Sequence, residues 1–167
     1  MALIKEPLQA ELTTIFEKGQ IGNPDPNLVG IKTATAYLNY CAAGQNQAGM
    51  PMTAMPGSAT LGTDLGIIYS TLSPAADGSL TATKIANKFD LCLMTFMSTF
   101  QTSMVTGPFA AVLQTHLDIV FSKPALSATE FAGNLALALH LAPTAPAIQC
   151  SGFVPGPAPY VFSGPIV

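Results

Sequence analysis

The sequence predicts an all-α protein: three repeated helical hairpins packed as one bundle, followed by an extended, proline-rich C-terminal arm. Three observations support this prediction. An apolar spacing typical of a helix occurs three times at near-equal intervals, a second helical pattern follows each occurrence, and prolines crowd the end of the chain. We expect the hairpins to span residues 3–57, 58–107 and 108–142, and the arm to span residues 143–167.

The first helix of each hairpin is predicted by apolar residues at positions i, i+4, i+7 and i+8. A single amphipathic helix produces this spacing by itself. Here it begins at Leu8, again 53 positions later at Leu61, and again after a further 52 at Leu113, and each copy closes on an aromatic ring. Three such copies favour a true repeat. The sets are Leu8, Leu12, Ile15 and Phe16; Leu61, Leu65, Ile68 and Tyr69; and Leu113, Leu117, Val120 and Phe121.

The second helix of each hairpin is predicted by start signals and a further apolar stripe. Asp25 before Pro26 is typical of an N-cap followed by proline in the first turn. Ser127 and Glu130 have the spacing of a capping box, and Ser79 is the expected cap in the second hairpin. The stripes are Leu28, Ile31, Leu38 and Cys41; Ile85, Phe89, Leu93, Phe96 and Phe100; and Phe131, Leu135, Ala138 and Leu139.

The C-terminal arm differs from the helical body. It is uncharged and holds six of the fourteen prolines, so it cannot be helical over any length. Short runs with β propensity at residues 147–149 and 160–162 are able to add strands to a partner or to the chain itself. Two alternatives are open: the arm lies on a neighbouring chain, or it folds back over its own helices.

Charged side chains are scarce. They make up 9% of the chain, against about 25% in an ordinary soluble domain. None occurs from Thr33 to Thr63, from Leu91 to Leu117, or after Glu130. A free monomer stays soluble through a charged surface without large apolar patches, so this pattern favours a chain that its neighbours partly cover. A neutral surface of Thr, Ser, Asn and Gln is the other explanation.

The composition also argues against two classes of partner. The six cations are all lysines and are scattered, so we expect no nucleic-acid partner. The longest apolar runs, Leu91–Val105 and Phe131–Ala142, are too short or too polar to span a bilayer, so we expect no membrane partner. Residues 1–6 lack the apolar core of a signal peptide, which favours synthesis in the cytoplasm.

No pattern of catalytic or metal-binding residues is found. His116, His140 and the three cysteines show none of the spacings of metal ligands, and neither a nucleophile motif nor a phosphate-binding glycine loop occurs. We therefore expect no catalytic residue, no metal, no cofactor and no enzymatic activity. The cysteines, Cys41, Cys92 and Cys150, are expected to be reduced and buried as small apolar residues.

The candidate functional residues are those that would form apolar contacts with another protein. Methionines in the predicted loop between the first two hairpins would form a sticky patch if exposed. Aromatic and aliphatic residues of the arm are the second group. The candidates are Met50, Met52 and Met55 in the loop, and Phe153, Tyr160, Phe162, Ile166 and Val167 in the arm.

The layout resembles that of uncharacterised virion structural proteins of tailed bacteriophages. The shared features are Ala-rich helical repeats that open with the leucine–aromatic stripe, a final Ala-Leu-Ala-Leu helix at residues 136–139, and a Thr/Pro-rich tail ending Ser163-Gly164-Pro165-Ile166. The likeness covers nearly the whole chain but contains no diagnostic motif. It implies an accessory piece of the particle (tail, baseplate, neck or capsid-cementing protein) whose partners are other virion proteins and copies of itself.

Two functional hypotheses follow. The first is a non-enzymatic structural subunit of a multi-copy assembly, located in the virion. For this hypothesis we expect that deleting residues 155–167 leaves the helical body folded but weakens incorporation. The alternative is a soluble carrier of apolar small molecules, since helical hairpins rich in Phe and Met can enclose a cavity.

Overall fold

The computed structural model describes residues 3–19, 25–53, 59–71, 74–94, 97–98, 103–122 and 127–167. It is mainly α-helical, with a small three-stranded antiparallel sheet and a separate pair of short strands. The helices are α1 (Lys5–Gly19), α2 (Pro26–Ala42), α3 (Leu61–Thr71), α4 (Pro74–Met94), α5 (Phe109–Ser122) and α6 (Ala128–Leu141). The strands are β1 (Met52–Thr53), β2 (Met97–Ser98), β3 (Ser103–Thr106), β4 (Gln149–Val154) and β5 (Tyr160–Gly164).

The six helices close into a ring of contacts. The most extensive helix contacts join α2 to α3, α4 to α5, and α1 to α6. Smaller contacts join α1 to α2, α3 to α4, and α5 to α6. Each helix therefore packs between two others, and the last helix returns to the first.

The leucine stripes meet in one interior. The first two positions of each stripe are the most deeply buried, at no more than 1% exposure, and all belong to a single core. The aromatic rings that close the stripes are partly buried at its margin. Burial of leucine side chains of this size stabilises the fold by about 1.5–3 kcal/mol each. The core leucines are Leu8 and Leu12, Leu61 and Leu65, and Leu113 and Leu117.

Helices α2, α4 and α6 bury residues at similar spacings. Residues of α2 can be set beside those 52 positions later in α4 and those a further 50 positions on, in α6 or at its C-cap Ala142. Five such sets are buried throughout: Gly30, Ala82 and Ala132; Thr33, Ile85 and Leu135; Ala34, Ala86 and Ala136; Tyr37, Phe89 and Leu139; and Tyr40, Cys92 and Ala142.

Glycines allow α2 and α3 to approach closely. A Cβ on Gly30 would lie 2.6 Å from the carbonyl oxygen of Gly62 and would also clash with the backbone of Gly66. A Cβ on Gly62 would lie 2.9 Å from the Cα of Ile31. The two backbones are therefore in direct contact, which side chains larger than glycine would prevent.

Two of the three predicted helix caps are present. The Asp25 carboxylate accepts the backbone N–H of Asn27 at 2.9 Å, and the Ser127 hydroxyl accepts that of Glu130 at 3.1 Å. Each bond satisfies an N–H that has no partner inside the helix.

The predicted start and end of α4 were wrong. The helix begins at Pro74, before the expected cap Ser79, because proline is tolerated in a first turn. Non-helical angles at Asp77 (φ −118°, ψ 31°) mark a kink just after this turn. The helix ends at Met94 because the chain then pairs as β2 with β1. Phe96 and Phe100, expected on the same helical stripe, lie outside the described residues.

Candidate interaction surface

The C-terminal arm folds back onto its own chain. Strand β4 pairs with β3 of the body on one side and with β5 on the other, antiparallel in both cases. Of the two alternatives for the arm, a neighbouring chain or its own chain, the structure shows the arm on its own chain. The two pairings satisfy the backbone groups of an extended segment that cannot become helical.

One face of this sheet belongs to the core. Val105 pairs with Cys150, and Cys150 pairs with Gly164; all three are buried. Phe162, two residues earlier on β5, points to the same side and is 7% exposed. Phe162 was a candidate contact with another protein, and that assignment was wrong, because its ring lies in the interior of its own chain.

The end of the arm is also clasped to the body. The N–H of Gln45 donates to the carbonyl of Val167 at 2.7 Å, and the N–H of Val167 donates to that of Gln45 at 3.1 Å. Ile166, the residue before Val167, is 5% exposed. It packs closely against Gly44: a Cβ on Gly44 would lie 3.1 Å from the Ile166 side chain. Ile166, a second candidate, is therefore a core residue, whereas Val167 keeps 43% of its surface exposed.

The methionine loop is ordered by a buried asparagine. The Asn46 side-chain oxygen accepts the backbone N–H groups of Ala48 and Met50, at 3.0 and 3.1 Å. Gly49 has φ +78°, a conformation that favours glycine. Met50 is half-buried, and Met52 is only 2% exposed.

The predicted methionine patch is therefore wrong at Met52. This residue begins β1, and its side chain points into the core, where it contributes to the lining of a cavity of about 10 Å³. The cavity is apolar and has about the size of one water molecule. Met55 lies outside the described residues. The other lining residues are Leu3, Cys41, Leu93, Pro143 and Ile166.

The outer face of the β3–β4–β5 sheet is exposed and uncharged. Met104 on β3 and Phe153 on β4 are 52% and 45% exposed, and Val161 on β5 is 78% exposed. Phe153 and Val161 are directly paired across the two strands. Beside them, the hydroxyl groups of Ser151 and Ser163 form a hydrogen bond of 2.8 Å. We call these five residues the outer sheet face.

The candidate site is thus smaller than predicted and partly different. Phe153, Tyr160 and Val167 remain accessible, with Tyr160 51% exposed. The predicted interface residues included neither Met104 nor Val161. Val161 alternates with Phe162 along β5, so knowing which side of the strand faced the body would have identified it.

The outer sheet face is mostly apolar. It presents aliphatic and aromatic side chains, two hydroxyl groups and no ionisable side chain. Within the described ranges, no three His, Cys, Asp or Glu side chains gather to hold a metal ion. None of the described helices is long and apolar enough to cross a membrane.

A second feature of the surface is a groove between α1 and α2. Its volume is about 310 Å³ and it is open to solvent. Leu8 of α1 and Ala36 of α2 line the bottom of the groove, and Ile4, Glu11 and Asn39 also line it. Ile4, Glu11 and Asn39 are exposed, so the groove is a surface depression rather than an internal cavity.

Comparison with known proteins provides no relative for this chain: no protein-family model, no curated protein and no solved structure matches it.

Proposed function

We propose that this chain is a non-enzymatic structural subunit of a multi-copy assembly, a component of a tailed-phage particle in its tail, baseplate, neck or capsid-cementing layer. It acts through contacts with other virion proteins and with copies of itself, and involves neither nucleic acid nor membrane. The observation that supports this most directly is the outer sheet face, where Val161 is 78% exposed beside the half-exposed Phe153. Apolar residues grouped in this way are typical of a protein–protein contact.

The repeat supports the same proposal. We interpret the body as three helical hairpins derived from one unit, since the leucine pairs of α1, α3 and α5 are buried alike and the second helices bury matching positions. Hairpins of this kind are stable because they pack on one another.

The distribution of charge supports it as well. Exposed apolar residues also flank the contact between α2 and α3, where Leu28, Ile31 and Ile67 are about half exposed. Lys32 is the single charged residue between Pro26 and Thr63. A surface with so few charges is better suited to a chain covered by neighbours than to a free monomer.

A carrier of apolar small molecules is the second candidate, and the groove between α1 and α2 is the observation that favours it. The groove is large enough for a short aliphatic ligand. The described part of the core gives less support to a carrier function, because the apolar cavity near Cys41 has a volume of only about 10 Å³. Uptake of a fatty acid by delipidated protein, blocked by Ala36→Phe in the groove, would establish this function.

The proposed structural role is tested by association with particles. The tagged chain is produced during infection, and particles are purified on a density gradient. We expect the chain to sediment with the particles in fixed stoichiometry, and a Phe153→Ser/Val161→Ser variant with unchanged circular dichroism to be depleted from them. A chain that stays in the unbound fraction throughout infection contradicts the proposal.

A further inference from the structure

Strand β5 has a free edge. It is the last strand in the order β3–β4–β5, so β4 occupies one side only. In an antiparallel sheet, alternate residues direct their N–H and C=O groups toward each neighbour. Among the backbone hydrogen bonds of the described residues, Tyr160–Ser163 form none outside the ladder with β4. As far as the described residues are concerned, the outward groups of this stretch are therefore available to a further strand.

Residues 160–163 also lack two of the features by which proteins usually prevent edge pairing. Such edges are commonly protected by charged side chains, by proline within the strand, or by a covering loop. Residues 160–163 contain neither a charge nor a proline, and Val161 is the most exposed large hydrophobic residue described. Pairing is limited before Tyr160 and after Gly164, because Pro159 and Pro165 have no N–H.

The edge is complementary to itself. Suppose that a second copy adds its own β5 antiparallel to the first, related to it by a two-fold axis perpendicular to the sheet. Residues opposite each other must then point to the same face, so one residue lies opposite its own copy and the axis passes between the two. We name the axis by that residue. An axis at Phe162 would place the exposed Val161 opposite Ser163 instead of opposite another apolar residue. An axis at Val161 pairs Tyr160 with Phe162 of the second copy and uses only the open stretch.

The axis at Val161 also matches the outer sheet face. Phe153 is the neighbour of Val161 on β4. The two-fold pairing therefore forms one continuous apolar row across four strands: Phe153 and Val161 of one copy, then Val161 and Phe153 of the other. No charge follows Glu130 in the sequence, so no like charges are brought together. A preformed strand also loses less conformational freedom on pairing than an unfolded peptide does.

We infer that two copies of this chain associate through their β5 edges, antiparallel and centred on Val161, to form a six-stranded sheet across the dimer. This inference rests on the proposed function, for which it names one partner and the contact. The pairing is short, so the dimer alone is weak and is strengthened by neighbouring contacts in the assembly.

Sedimentation velocity over a concentration series tests the association. The full chain should show a monomer–dimer equilibrium. Val161→Lys should raise the dimer dissociation constant about tenfold or more, because the axis places two lysines side by side. Met104→Lys is the matched control: it adds the same charge to the same face at the opposite edge and should leave the equilibrium unchanged. A chain that remains monomeric at millimolar concentration, or equal effects of the two variants, overturns the inference.

Cross-linking tests the register. Chains carrying Val161→Cys should be joined to each other by a short bismaleimide, whereas Ser163→Cys chains alone should not, because Ser163 faces Pro159 of the second copy. The unsubstituted chain, whose three cysteines are buried, provides the background. Efficient cross-linking of Ser163→Cys and none of Val161→Cys overturns the proposed register.

The two proposals fail separately. If Val161→Lys prevents incorporation into particles while the free chain is monomeric at every concentration, the edge pairs with a different virion protein; the second copy is then ruled out and the structural role stands. If the chain dimerises through β5 yet never enters particles, the inference stands and the proposed function fails.

Discussion

The hydroxyl of Tyr40 on α2 forms a hydrogen bond of 2.7 Å with Nδ1 of His140 on α6. Burial raises the pKa of Tyr40 well above its usual range, so the hydroxyl stays protonated. Burial also lowers the pKa of His140; the charge of Glu6 raises it in part, and that of Lys5 lowers it further. The contact joins two helices that are far apart in the sequence, and burial there disfavours the charged form of His140.

Stability should therefore fall as His140 becomes protonated. Its pKa in the folded state lies below its unfolded value near 6.5, so the unfolded chain takes up the proton first. The stabilisation is complete above about pH 6.5 and is lost as the pH falls through the lowered pKa. Between pH 7.5 and 5.5, the free energy of unfolding in urea should decrease more for the wild type than for His140→Asn. Equal decreases would contradict this assignment.

The close contact of α2 with α3 predicts opposite effects of two glycine substitutions. Gly30→Ala places a methyl group against the backbone of α3 and should destabilise the fold by about 1–3 kcal/mol or more, because neither backbone can yield. Gly133→Ala on α6 meets only the end of the flexible Gln9 side chain, at 3.3 Å, and should be neutral or stabilise by up to about 1 kcal/mol. Chemical denaturation measures both. Similar values for the two variants would show that the helices are not in backbone contact.

The clasp of the arm predicts that the C-terminus contributes to stability. Ile166→Ala should cost about 2–4 kcal/mol because it empties a buried site, whereas Val167→Ala should cost less than about 1 kcal/mol. Deleting residues 155–167 removes Phe162 and Ile166 from the core, so the truncated chain should melt earlier than the full one. The sequence-based expectation was that the helical body stays folded after this deletion; the buried positions of Phe162 and Ile166 add that it is less stable. A melting temperature unchanged by the deletion would contradict the prediction.

Cysteine reactivity predicts how tightly the core is closed. Burial raises the pKa of Cys92 to about 12 and raises that of Cys41 far above its usual range. At pH 8, both should react with an aromatic disulfide reagent at least about a hundredfold more slowly than in denaturant, since the thiolate is the reactive form. A Val161→Cys variant should react at once through its new thiol and serves as the control. Rapid labelling of Cys41 in the native chain would indicate that the core opens near the small cavity.

Local features were predictable because they depend on neighbours in the sequence. Asp25 and Ser127 cap helices as expected, since a cap is a contact over two or three residues. The leucines of the three stripes are buried because helical periodicity directs them to one side of each helix. The extension of α4 beyond Met94 was mispredicted because pairing of β2 with β1, a contact over about 45 residues, competes with helix formation there.

The amino-acid pattern was enough to predict the leucine faces of α1, α3 and α5 and an arm too rich in proline to become helical. It did not give the buried face of α2, where Leu28 and Ile31 were expected in the apolar stripe but are about half exposed. Nor did it give where the arm lies, and therefore which of its residues are accessible. Phe162 and Val161 are adjacent and similar in hydrophobicity, yet one is in the core and the other is on the surface. The physical reason is that a strand directs successive side chains to opposite faces, and the choice of face depends on pairing with β4 and on the clasp at Gln45, both of which are long-range contacts.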